Sequence, residues 1–343
     1  MNLIVLEEPN HKWDEFVFLH SDLIFHTSLW WKVVEEGYGC GMRYLVLEEE
    51  GYWLSALPGM MMGNRFFKVF YSLVPYGGFI GDREHIPEFL GLLNHWAKKE
   101  KIQRIQIVEV DIKKKQDLPD FNCVESYRHL LELKDKSTDL IWRNYKDSLK
   151  RNIKTALKSD LYFEKIRSRG EVESFYQLYL DSMRRNRALT KYPLQLFYKI
   201  YDLLVPEFSD IFFAKYHNQP VAGIVVIYSE KIAHYFHGGS VTEHLHQRPN
   251  DLLFHHAIRL AKERGKSYFD FMGSSKKMLS LIQFKEKWGA EKKIVFNYHR
   301  DISKSRSAIY QLLLPTVNFF RGSLGAGDES YFKKCQNWHI YAH

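Results

Sequence analysis

Apolar and polar positions alternate along the first third of the chain in short segments that switch between two periods. Residues 3–6 (LIVL) form an apolar run of strand length, followed by a charged stretch that begins a helix. A helical pattern over 30–36 leads into strand-like runs at 44–48 and 52–57. The segment 74–82 (VPYGGFIGD) is rich in turn residues. A helix over 86–99 and a strand over 104–108 follow, and 111–120, with KKK and a proline, reads as a surface loop. Such alternation predicts a sheet covered by helices, in an α/β or α+β arrangement.

Polar residues interrupt the pattern at 134–138, where a module boundary is expected. Beyond it, helices are predicted over 138–159, 172–187 and 194–204, then strands over 210–216 and 221–228 joined by a turn at 217–220. A strand over 231–238, a helix over 251–264 closed by Gly265, a strand over 267–272, a helix over 279–288 and a strand over 294–298 complete the pattern. Two halves of similar length and style suggest a duplicated module, spanning 1–137 and 138–300, with a closing segment 301–343. A chain of 343 residues is too long for one ordinary core and suits two.

Composition is that of a globular protein, 45% hydrophobic and 26% charged. The three cysteines, Cys40, Cys123 and Cys335, are far apart and lack CxxC spacing, which fits a reducing compartment and argues against a disulfide framework and a zinc site. No signal peptide is read at the start, and no apolar run approaches the roughly 20 residues of a membrane span, so a cytoplasmic location is expected. The net charge of +8 favours anionic partners: nucleic acid, phosphorylated metabolites or an anionic membrane face. Residues 308–320 (AIYQLLLPTVNFF), flanked by Lys304, Arg306 and Arg321, either pack back onto the first module or make a peripheral contact with the inner face of a membrane.

Several residues invite chemistry, each with a plainer alternative. On a continuous helix over 138–159, Arg143, Lys146, Lys150, Lys154 and Lys158 share one arc opposite Trp142, Tyr145, Leu149, Ile153 and Ala156. That arc is either a solvated surface or a wall facing phosphates, as of tRNA. Arg184, Arg185 and Arg187 either complement a helix dipole or clamp an anion. In 269–275 (FDFMGSS), alternation places Phe269 and Phe271 on one face and Asp270 on the other. Asp270 is then a structural hydrogen-bond acceptor, or a partly buried acid with a raised pKa suited to take a proton. Gly273 permits a sharp exit or a close approach of backbone to ligand. Phe284 and Trp288 lie four apart, with Lys285 beside them, either exposed or aimed at a developing oxyanion. His244, His246, His255 and His256 lack a metal-binding spacing, so no metal is expected. The absence of GxGxxG, GxxxxGK[ST] and GxSxG argues against nucleotide hydrolysis and serine-hydrolase chemistry.

Six segments in order, KRNIKTA (150–156), QPVAGIVV (219–226), AHYFHGGS (233–240), PNDLLFHHAI (249–258), YFDFMGSS (268–275) and FKEKWGA (284–290), resemble the Fem family of peptidyltransferases and its FemAB-like relatives in the GNAT acyltransferase superfamily. The resemblance covers about 138–298 and implies two tandem GNAT-like modules, each a mixed central sheet flanked by helices, with the C-terminal segment folded back on the first. It implies acyl or aminoacyl transfer to an amine of a peptidoglycan, exopolysaccharide or other cell-envelope precursor, linked to a nucleotide or a lipid. It gives Lys285 a catalytic role and places Arg187 and Tyr235 on the substrate; the reading of the residues themselves adds Asp270 as a candidate proton acceptor and Arg185, Phe284 and Gly273 as candidate substrate contacts. The phosphate-facing set is Lys146, Lys150 and Lys154. No tightly bound cofactor is expected. The donor stays open between aminoacyl-tRNA and acyl-CoA, because neither a long coiled-coil arm nor a glycine-rich turn after 231–238 is present. The rival readings are a CoA-dependent acyltransferase acting on a sugar amine and a non-catalytic module that binds a nucleotide-linked glycan.

Overall fold

The computed structural model describes residues 1–63, 67–72, 74–110, 115–188 and 190–303, and they cluster into two compact units. The first comprises Met1–Ser21, Phe25–Val124 and the described residues from Val295 onward; the second comprises Asp22–Ile24 and Glu125–Ile294.

The first unit is built from β1 (Asn2–Leu6), α1 (His11–His20), α2 (Ser28–Tyr38), β2 (Gly41–Glu49), β3 (Tyr52–Gly63), β4 (Lys68–Tyr71), β5 (Ile80–Gly81), α3 (Ile86–Lys99) and β6 (Arg104–Glu109). The strand order is β1-β2-β3-β4-β6, with β5 on β3, and only β4–β6 is parallel. Helix α3 buries Phe89 and Leu93 against Leu45, Phe70 and Ile105 of the sheet.

The second unit takes most of β7 (Asn122–Glu132), then α4 (Thr138–Asn144), α5 (Asp147–Lys158), β8 (Leu161–Lys165), α6 (Glu171–Arg185), α7 (Leu194–Leu204), β9 (Ser209–Tyr216), β10 (Gln219–Tyr228), β11 (Ile232–Ser240), α8 (Pro249–Glu263), β12 (Tyr268–Ser275) and α9 (Leu279–Glu286). The last strand, β13 (Glu291–Asp301), pairs with β6 through residues of the first unit. The order here is β7-β12-β11-β10-β9-β8, and only β11–β12 is parallel. Leu149 and Ile153 of α5 and Phe254 and Ile258 of α8 share a core with Ile224, Val226, Phe269 and Phe271. Gly239 lets α6 lie against β11, since a Cβ there would stand 2.2 Å from the Leu178 carbonyl oxygen.

Three expectations change. The helix expected over 138–159 is two helices, because Tyr145 turns extended and the Lys146 amide bonds the Lys287 carbonyl at 2.9 Å instead of continuing the ladder. The five basic residues therefore form no single stripe; only Lys150, Lys154 and Lys158 share α5. Strand β7 was not expected, and the 137/138 boundary falls inside the second unit, because β7 pairs with β12 there. The segment 308–320 lies outside the described residues, as does nearly all of 301–343.

Candidate active site

Strands β11 and β12 are joined over only three residue pairs, the last being His234 with Asp270. Beyond it, no pair links them among the described residues. β12 continues against β7 instead, with a register shift between Asp270 and Gly273 that leaves Met272 at φ 61°. β11 shifts against β10 between Val225 and Val226. Bulges on both strands sharpen their twist and turn them apart, so their facing backbone groups lack each other as partners past this branch point.

A buried ionic network holds the branch. Asp270 and Arg128 are fully buried, and Arg128 donates to Asp270 Oδ2 at 2.9 Å. His234 Nδ1 lies 3.2 Å from the same oxygen, and Asp270 Oδ1 accepts the Met272 N–H at 2.8 Å. His234 Nε2 lies 2.8 Å from Ser229 Oγ, which accepts the Ile24 N–H at 3.0 Å. Burial pushes the Asp270 carboxyl up, but Arg128, His234 and the Met272 amide outweigh it and hold the carboxyl well below the usual carboxylate range. The raised pKa expected for Asp270 is thus corrected: the group is a locked anion, unsuited to take a proton near neutrality. The alternation that set Phe269 and Phe271 on the opposite face holds; their rings sit 5.1 Å apart in the core.

Lys285 approaches the same residue from the other end. Its side chain is buried, and Nζ donates to the carbonyls of Met272 at 2.8 Å and Gly273 at 2.9 Å and to Ser274 Oγ at 2.6 Å. Three acceptors match the three protons of an ammonium. Burial lowers its pKa to about 7, with Asp270 opposing the fall. A lysine that titrates near neutrality beside a strand branch is suited to acid–base or oxyanion work. Aromatic rings wall this end: Phe254 stands 4.6 Å from Tyr235, 5.4 Å from Phe271, 5.5 Å from Phe284 and 5.7 Å from Trp288.

Residues 143–286 match the profile of the acetyltransferase (GNAT) domain family. FemX is similar at TM-score 0.64 and 16% identity, over 90% of this chain and 99% of that one. L-PGS from Bacillus licheniformis matches at 0.58 and 12%, over 92% and 98%, and a tandem GNAT protein from the clavulanic acid biosynthesis pathway at 0.57 and 9%, over 88% and 99%. No curated protein sequence matches the chain. The chain has a Fem-like GNAT fold.

Within that GNAT fold the expected site residues separate. Tyr235 and Phe284 gather at the aromatic wall. Arg185 is tied to the end of β11, donating to Ser240 O at 2.6 Å and to Ser182 Oγ at 2.9 Å. Arg184 pairs with Asp181, and Arg187 stands exposed at φ 50° just past α6. Gly273 is exposed, and a Cβ there would meet nothing within 4 Å; the left-handed residue at this strand exit is Met272. Lys150 bonds the Arg143 carbonyl at 2.9 Å and Asp147 at 3.3 Å, whereas Lys154 is exposed. Lys146 precedes α5. His256 stacks on Phe163 and His255 meets Trp142 edge-on; no group of three or more potential metal ligands occurs among the described residues. None of the described helices is long and apolar enough to cross a membrane.

After β11 the chain enters α8 through Arg248-Pro249-Asn250-Asp251. Arg248 takes φ 63°, Pro249 has no N–H, and the Asp251 carboxyl is buried; burial pushes its pKa up to about 6, while Asn152, Arg248 and Lys287 oppose the rise. Arg128, His129 and His234 were missed in the sequence, since buried polar residues inside strands carry no periodic signature.

Proposed function

We propose that the protein is an N-acyltransferase that moves an aminoacyl group from an ester donor, of the aminoacyl-tRNA kind, to an amine on a cell-envelope precursor. The observation that carries the reading is the branch of β11 from β12 with Lys285 fixed at its root. The opening parts the facing edges of two strands so that an acyl chain can enter, and the lysine places a titratable cation beside the carbonyl that would react. Attack by the amine on an activated ester needs little covalent help, so positioning supplies much of the rate. Asp270 keeps the β12 bulge in shape and takes no part in proton transfer.

The first turn of α8 favours the ester donor over coenzyme A. A pyrophosphate is held by free amides at a helix start. Here Pro249 removes one such amide and Asp251 adds a carboxylate where a second anion would sit. The exposed Lys154 and Arg187 are the side chains offered to the phosphates of the donor or of a nucleotide-linked acceptor.

Thermal-shift titration with aminoacyl-tRNA, acetyl-CoA and UDP-sugars tests the choice. Stabilisation by aminoacyl-tRNA with none by acetyl-CoA is expected. A shift specific to acetyl-CoA would move the protein to the CoA-dependent class, acting on a sugar amine. Binding of UDP-sugars without turnover of either donor would leave a glycan-binding module.

A further inference from the structure

The polar group least explained by the fold is His129. It sits in β7 between Arg128, opposite Gly273, and Leu130, opposite Asp270, so it faces the bulge itself. Arg128 points to Asp270; alternation turns His129 to the other face, where Leu131 joins the core of Phe271 and Trp288. The ring is fully buried, and neither Nδ1 nor Nε2 has a hydrogen-bond partner among the described residues. An unmet buried donor is unfavourable by about 1–3 kcal/mol, and such groups call for a reason. Burial first, then the nearby Lys285 and Lys292, lower its pKa to about 4 against the opposing Glu286 and Asp270, so the imidazole is neutral at pH 7.

We propose that His129 is a catalytic residue for the acyl transfer inferred above, a neutral imidazole that donates a hydrogen bond to the carbonyl oxygen of the acyl donor. As the amine nitrogen bonds to the carbonyl carbon, the π pair moves onto that oxygen. When it returns, the bond to the ester oxygen breaks, and the departing oxygen leaves with the proton released by the amine. Lys285, held by three acceptors on β12, sets its charge beside that carbonyl, and His129 adds a hydrogen-bond donor from β7. A neutral donor in a dry site stabilises developing charge without reorganising. Because the ring is covered in the free protein, donor binding must uncover it.

The test compares wild type, His129→Leu and His129→Gln, reading transfer from bulk tRNA charged with radiolabelled amino acids to UDP-linked muramyl pentapeptide, together with melting temperature. His129→Leu should lower kcat by about 10²–10³-fold with KM nearly unchanged. It should melt no lower than wild type, because an unpartnered polar group leaves the core. His129→Gln, which keeps an N–H donor, should recover at least about tenfold of the loss. A leucine variant with wild-type kcat, a loss that only follows the folded fraction, or equal loss in both variants overturns the assignment. A wild type that transfers no label from this donor overturns the ester-donor reading itself, and the proposal with it.

Discussion

Asp270 and Lys285 grip one residue from opposite ends: the carboxylate accepts the Met272 N–H at 2.8 Å, and the ammonium donates to the Met272 carbonyl at 2.8 Å. Neither side chain is exposed. A left-handed, non-glycine residue is costly, and it persists where its surroundings over-determine it. Here the surroundings are a buried anion and a buried cation.

Asp270→Asn should be strongly destabilising. It leaves Arg128 buried without its counter-ion, a loss of roughly 3–5 kcal/mol for a broken buried pair, read by urea unfolding at pH 7. The folded carboxyl titrates below its unfolded value, so its contribution is present above about pH 4 and fades as pH falls through the folded pKa. Wild type should therefore lose stability on acidification more steeply than the variant. Equal acid sensitivity would mean that the carboxylate is not paired.

Lys285 gives the opposite slope. Its folded pKa, about 7, lies below the unfolded value, so between about pH 7 and 10 the unfolded chain binds the extra proton and stability rises with pH. Relative to Lys285→Met, wild type should gain up to about 1.4 kcal/mol per pH unit across that window and nothing below it. A flat difference from pH 6 to 10 would show an ordinary exposed lysine.

Much of this was legible beforehand and some was not. The periods of 249–263 and 194–204 show in the sequence because one apolar face meets one core, and the FDF alternation placed Asp270 on the correct face. Strand β7 was invisible, because Arg128 and His129 put polar side chains on both its buried faces and blur a two-residue period. The break at Tyr145–Lys146 was hidden for another reason: it is imposed by the Lys287 carbonyl, some 140 residues away in sequence. The depressed pKa of Asp270 required knowing that Arg128 folds beside it.

Gly273→Ala separates space kept for a ligand from space kept for the fold. The added methyl meets no atom in the free protein, so stability should stay within about 0.5 kcal/mol. If the donor passes here, KM for it should rise several-fold. An unchanged KM would remove this strand exit from the donor path.

Charge reversal on α5 should distinguish its two lysines. Lys154 is exposed, while Lys150 is held by Arg143 and Asp147. Lys154→Glu should weaken tRNA binding more than Lys150→Glu, and should flatten the salt dependence by about 0.7 per lost contact. Equal, negligible effects would make this helix face ordinary solvated surface.

The most direct measurement follows label from donor to amine. Wild type and Lys285→Ala are incubated with radiolabelled aminoacyl-tRNA or acetyl-CoA and a UDP-linked muramyl pentapeptide, and amide product is counted against folded protein. The account predicts product from aminoacyl-tRNA alone, with kcat lower by about 10²–10³-fold in Lys285→Ala and KM little changed. Product from acetyl-CoA alone, or turnover by Lys285→Ala within a few-fold of wild type, would contradict it.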